Sequence, residues 1–202
     1  MLLEISSLIL FQFRFVIWSI FSTSTLIPLI EEKNRIHLIY GDLNDYVSLK
    51  NAIDESQPDF VFHLAAQSYP QTSFTSPIDT LNTNILGTAK LLECIKNAKL
   101  DPVIHVCASS EVFGRVSKKD LPIHENVNFH PASPYAISKV GTDLIGRFYG
   151  EAYGMKCITT RMFTHTGPRR GDVFAESSFA KQIALIESAQ IKPIIKTGNL
   201  NS

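Results

Sequence analysis

The chain has 202 residues, 45% hydrophobic and 19% charged, which is enough apolar material to bury a core as one domain and too much for a disordered chain. Lys plus Arg (19) equals Asp plus Glu (19), so the formal net charge is zero and nothing favours nucleic acid or another polyanion over a small-molecule substrate. Three cysteines, Cys94, Cys107 and Cys157, and six scattered histidines lack metal-ligand spacing, so no metal site is expected and the thiols read as reduced cysteines of a cytoplasmic protein.

The N-terminal stretch SLILFQFRFVIWSIF is apolar but interrupted by Gln12 and Arg14, and no basic segment precedes it, unlike a signal peptide. An arginine near the centre of a bilayer span costs roughly 2.5–3.5 kcal/mol, which weighs against a membrane helix. Alternation of Phe11, Phe13 and Phe15 with Gln12 and Arg14 fits a strand instead. The first glycine is Gly41. A dinucleotide-binding fold places glycines after its first strand so that backbone can approach a pyrophosphate, and residues 1–40 contain no such turn. Residues 1–35 therefore read as an atypical N-terminal segment and residues 36–202 as the regular domain.

From Ile36 the pattern settles. Residues 36–40 read as a strand with Asp42 at its carboxyl end, where open α/β sheets gather ligands; on the residues alone a turn or helix-cap role explains Asp42 better. A helix is predicted from Tyr46 to about Ser56, then the strand and turn PDFVFHLAAQS. There Ala65 and Ala66 are small enough for close approach of either a cofactor or a packed helix. The segment from Pro77 predicts one long helix, apolar at Ile78, Leu81, Ile85, Leu91, Leu92 and Ile95. Gly87 in its interior costs about 1 kcal/mol against alanine and marks close packing.

The β-branched run Val103, Ile104, Val106 predicts a buried strand that empties into Ala108, Ser109, Ser110 and Glu111. Further on, Ser133 caps a helix with Pro134 first, closed by Gly154. Tyr135 and Lys139 then share one face, and an ammonium one turn away favours the phenolate and lowers the phenol's pKa. Tyr135 becomes an acid/base, Lys139 its tuner, Ser109 a hydrogen-bond donor to the same substrate oxygen, and Glu111 a second base. An amphipathic helix with an exposed lysine gives the same spacing; SSEVFG at the end of a buried strand is what favours chemistry. MKCITTRMF predicts another strand and FAESSFAKQIALIESAQ an amphipathic helix. Strand and helix alternate, which predicts a doubly wound parallel α/β sheet.

SSEVFG and the Tyr135/Lys139 pair resemble motifs of the extended short-chain dehydrogenase/reductase family, the NAD-dependent epimerases and dehydratases, and within it the sugar-nucleotide branch around GDP-mannose 4,6-dehydratase. The likeness runs from about Ile36 to Ser202. It implies a Rossmann-like fold, incomplete at the N-terminus and lacking most of the C-terminal substrate domain. It implies NADP as cofactor, with NAD the other choice, touching Asp42, Leu43, Leu64, Ala65, Ala66, Gln67, Ser68, Tyr135, Lys139, His165 and Arg170. It implies catalysis by Ser109, Glu111, Tyr135 and Lys139, converting GDP-mannose to GDP-4-keto-6-deoxymannose. Ser110 stands where dTDP-glucose dehydratases carry an Asp, which favours the GDP-sugar branch. Thr164, Thr166 and Gly167 depart from the Asn, Glu and Ser of the dehydratases and weaken that subtype. Arg169 and Arg170 read either as a solvated basic turn or as forks for a diphosphate. The alternatives are a 4-keto-6-deoxy-sugar reductase or 4-epimerase of the same family, and, in another class, a catalytically inactive fragment. Intact members are expected to form homodimers or homotetramers through the helices beginning at Pro77 and Pro134.

Overall fold

The computed structural model describes residues 39–167 and 170–199 together with the backbone of two short strands. Strands β1 (Leu8–Leu10), β2 (Phe15–Trp18), β3 (Phe60–His63), β4 (Val103–Cys107) and β5 (Lys156–Thr160) form one sheet in that order. β1 is antiparallel to β2, and β2 to β5 run parallel. Parallel neighbours need crossover connections, which the helices supply. They are α1 (Tyr46–Ser56), α2 (Pro70–Thr75), α3 (Pro77–Leu81), α4 (Gly87–Asn97), α5 (Pro134–Tyr153) and α6 (Ala175–Glu187). The doubly wound parallel sheet expected from the alternation is therefore present.

The helix boundaries follow their capping residues. Asp45 accepts a hydrogen bond from the Val47 amide (2.9 Å) to open α1. Ser133 Oγ accepts from the Ala136 amide (3.0 Å) to open α5, and Gly154 closes it at φ 68°. The core packs Leu49 and Ile53 of α1, Leu91, Leu92 and Ile95 of α4, and Val61, Ile104 and Val106 of the sheet, all fully buried. Each such side chain stabilises by about 1.5–3 kcal/mol relative to exposure. A Cβ on Gly87 would lie 2.8 Å from Leu43 Cβ, so the expected close packing at that glycine is real.

Four expectations change or fall outside the described residues. Ile39 and Tyr40 are not in a strand, and residues 36–38 and 11–14 lie outside the described part. The long helix is not uniform: Asn82–Leu86 is a π segment between α3 and α4. Ile78, placed on its apolar face by the sequence pattern, is 73% exposed. The short α2 had no periodicity long enough to show itself.

The chain divides into two compact units, Met1–Phe163, which carries the sheet, and Thr164–Ser202, which carries α6. Among the described residues, no helix is long and apolar enough to cross a membrane.

Candidate active site

At the end of β4 the chain turns into a short 3-10 helix, Ser110–Phe113, capped by Ser109, whose Oγ accepts from the Glu111 amide (3.2 Å). The Ala108 and Ser110 amides donate to the Thr160 and Met162 carbonyls (2.8 and 3.0 Å), extending the strand pairing past its formal end. Gly114 follows with φ 53°, and a Cβ there would lie 1.7 Å from the His130 carbonyl oxygen. Only glycine fits both that conformation and that approach, so the turn is pinned against the loop above it.

Tyr135 stands in the first turn of α5 and Lys139 one turn later, both buried. Lys139 Nζ donates to the Cys107 carbonyl at the end of β4 (2.9 Å) and lies 5.9 Å from the Tyr135 ring centre. The Tyr135 phenol is pushed above its ordinary pKa, first by burial, then by Cys107 and Glu111; the neighbouring Ser109 hydroxyl pulls the other way. Burial likewise lowers the Lys139 ammonium, with Cys107 opposing. The spacing alone suggested a phenol lowered by Lys139. In the folded chain the sign is reversed because desolvation outweighs every polar neighbour, and Lys139 is held by the Cys107 carbonyl. Ser109, Glu111, Tyr135 and Lys139 are nonetheless brought together, with Glu111 exposed at the rim.

A cleft of about 580 Å³ is lined by Asp42, Leu43, Asn44, Ala66, Gln67 and Ser68 on one side and by α2 and α3 on the other. Its volume falls within the range of small-molecule sites. Asp42 has the turn role favoured on the residues alone: Oδ1 accepts from the Asn44 amide (2.8 Å), while its own amide donates to Ser48 Oγ (3.0 Å). Leu43 is buried in the core. Leu64 and Ala65 do not line the cleft: Leu64 faces outward and Ala65 packs in the core.

Sequence reasoning missed the buried polar hub that joins these two regions. Asn84, in the π segment, accepts from the Gln67 amide on Oδ1 (2.8 Å). Its Nδ2 donates to the Gln67 carbonyl (3.0 Å) and to Ser138 Oγ (2.8 Å), next to Lys139. The Asn84 carbonyl accepts from the hydroxyls of Thr88 (2.6 Å) and Thr142 (3.1 Å). Because the Thr88 proton is spent there, its oxygen accepts from His63 Nε2 (2.8 Å), which fixes the tautomer and leaves Nδ1 buried without a partner. Burial first, then Lys139 and His105, lower the His63 pKa to about 3. The available signal was a pair of polar residues four apart, Asn84/Thr88 and Ser138/Thr142, on each of two otherwise core-facing helices.

His165 and Arg170 belong to the second unit. Arg170 Nη1 donates to the His165 carbonyl (3.0 Å), its guanidinium lies 3.8 Å from the Phe174 ring centre, and its Nε is 3.7 Å from Glu176. Arg169 lies outside the described residues.

The profile of GDP-mannose 4,6 dehydratase matches residues 18–202. The GDP-mannose 4,6-dehydratase of Yersinia enterocolitica is 33% identical over 190 residues, 91% of this chain and 50% of that one. The GDP-6-deoxy-D-mannose reductase of Pseudomonas aeruginosa is 35% identical over 144 residues, 71% and 47% of the two chains. Among solved structures, the P. aeruginosa RMD protein complexed with NADPH superposes with a TM-score of 0.72 at 36% identity, covering 75% of this chain and 52% of that one. The dTDP-glucose 4,6-dehydratase of Streptomyces venezuelae with NAD bound gives 0.74 at 26%, covering 84% and 52%. The chain spans about half the length of the curated relatives it matches. A parallel sheet ending in a serine–glutamate turn, a Tyr and a buried Lys one turn apart on the next helix, and a family match over nearly the whole chain lead to one conclusion: this chain belongs to the GDP-mannose 4,6-dehydratase family of sugar-nucleotide dehydratases, within the extended short-chain dehydrogenases/reductases.

Proposed function

We propose that the intact protein is a sugar-nucleotide 4,6-dehydratase acting on GDP-mannose, with NADP as cofactor and NAD as the alternative. The observation that carries the reading is the Tyr135 phenol beside the Ser109 hydroxyl and the Glu111 carboxylate, with Lys139 one turn behind. The cleft fits the adenosine end of a dinucleotide: it is large enough and carries hydroxyl and amide groups on Gln67, Ser68 and Thr72, with Asp42 beside Leu43. When bound, the cofactor supplies reversible hydride exchange, accepting from C4 of the hexose and returning to C6. The protein's own groups move the protons. Tyr135 takes the proton of the 4-hydroxyl, and Ser109 hydrogen-bonds the same oxygen. Lys139 stands one turn behind, its Nζ anchored on the Cys107 carbonyl (2.9 Å). The C4 ketone acidifies C5; Glu111 takes that proton and gives it to the C6 hydroxyl, which leaves as water, and the Tyr135 phenol then returns its proton to C5. His165 and Arg170 are assigned to cofactor contact on family resemblance.

Glu111→Gln tests the assignment. Dehydration of GDP-mannose is expected to fall by about 10²–10⁴ while NADPH binding is kept; unchanged turnover removes the role. The second reading, a 4-keto-6-deoxy-sugar reductase or 4-epimerase, is favoured by the likeness to the P. aeruginosa reductase, and there Glu111→Gln leaves activity intact. Fluorescence titration with NADPH separates both from an inactive fragment, a reading motivated by the missing glycine turn. We further propose that the intact protein pairs through α3–α4 and α5, whose exposed Ile78, Leu86, Ile137, Leu144 and Phe148 support it. The free thiols of Cys94, Cys107 and Cys157 agree with a cytoplasmic protein.

A further inference from the structure

Just past β5, Arg161 forms a two-pronged ion pair with Asp143 of α5: Nε donates to Oδ2 (2.7 Å) and Nη2 to Oδ1 (3.2 Å). Asp143 is fully buried and lies one turn beyond Lys139 on α5. The third prong, Nη1, donates to the Glu125 carbonyl (2.6 Å). The guanidinium also lies 4.7 Å from the Phe129 ring centre and 5.6 Å from that of Phe113, the last residue of the turn that carries Glu111. One side chain thus touches the Tyr135/Lys139 helix, the loop 124–130 and the Ser109–Glu111 turn. The same loop is tied to that turn by the His130 amide donating to the Val112 carbonyl (2.9 Å) and by the close approach at Gly114.

A buried ion pair is a weak source of stability, since well-packed apolar residues of like volume often do as well or better. What it supplies is geometry: a planar fork accepts only one relative placement of its partners. We propose that Arg161 and Asp143 are positioning residues, a clamp that sets the spacing between the Ser109–Glu111 turn and the Tyr135/Lys139 helix and seats loop 124–130 beside them. The inference deepens the dehydratase reading of the site and rests on it for the catalytic consequence.

The test uses Arg161→Lys in the full chain, which keeps the charge and loses the fork. The readouts are 13C-tyrosine NMR titration of the Tyr135 phenol, assigned with Tyr135→Phe, hydrogen exchange of peptides covering 121–131, and turnover of GDP-mannose. In the folded variant the loop is expected to exchange about tenfold faster. The Tyr135 titration is expected to move by about 0.5 or more as Ser109 and Glu111 shift. The kcat is expected to fall by about 10- to 100-fold with KM for the sugar nucleotide little changed. A purely structural pair lowers the melting midpoint and leaves the titration in place. A folded variant with the titration and loop exchange of the parent overturns the clamp. If Arg161→Lys does not fold, the double substitution Arg161→Met/Asp143→Leu, which removes both charges, carries the same readouts. If the parent chain turns over no sugar nucleotide, the dehydratase reading fails while titration and exchange still judge the clamp.

Discussion

Burial keeps the Tyr135 phenol protonated at neutral pH, so a step that needs the phenolate is expected to speed up as pH rises. Measured as kcat/KM, GDP-mannose turnover should climb between about pH 7 and 9, and Tyr135→Phe should lower it by about 10²–10⁴ throughout. His63 titrates in the other direction. Its folded pKa of about 3 lies below the ordinary 6.5, so the unfolded chain binds the extra proton between those values. The stability held by the neutral imidazole is complete above pH 6.5 and is lost as pH falls toward 3, by at most about 1.4 kcal/mol per pH unit. Urea midpoints across that window should fall with acid in the parent, and His63→Gln should flatten this part of the slope. The positions of Ser109, Glu111, Tyr135 and Lys139, the proposed acid/base group, were legible because each residue sits at a fixed offset from a strong local signal: the end of a β-branched run, or a Ser-Pro helix start. The phenol's direction was not legible, since spacing gives a neighbour's charge but not the depth at which both groups lie.

The elements meet at Asn84, where the π segment places one side chain between the Gln67 turn and α5. Asn84→Ala leaves the Gln67 amide and carbonyl unpaired and is expected to cost about 2–4 kcal/mol, read from chemical denaturation, and to weaken NADPH binding in step. Gly87→Ala pushes a methyl to 2.8 Å from Leu43 Cβ and is expected to cost about 1–3 kcal/mol, despite alanine's better helix propensity. α1, β3, β4, α5 and α6 were readable from apolar period and caps. The π segment was not: Leu81, Ile85, Leu91, Leu92 and Ile95 keep an ordinary helical pattern through it, so the extra residue in the turn leaves no mark. Ile78 satisfied that pattern and is exposed, because periodicity says that a face is apolar and not what covers it.

For the molecule as a whole, the exposed Leu144 and Phe148 on α5 and Ile78 and Leu86 on the other helix give the pairing proposal its test. Phe148→Glu combined with Leu144→Glu should turn a dimer into a monomer by light scattering while the far-UV circular dichroism stays that of the parent, since both side chains are about half exposed. The sequence by itself determined the α/β class, the order of the main strands and helices, and the placing of Ser109 and Glu111 just past one strand and of Tyr135 and Lys139 in the first turns of one helix. These depend on contacts within a few residues: apolar alternation, caps, and one helical turn. Only the tertiary structure decided that β2 continues the parallel sheet beside β3, that Leu64 and Ala65 stay out of the cleft, that Asn84 bridges the Gln67 turn and α5, and that Arg161 meets Asp143. Those outcomes rest on residues 17 to 55 or more positions apart, and burial and hydrogen bonding at such distances exist only once the chain is packed.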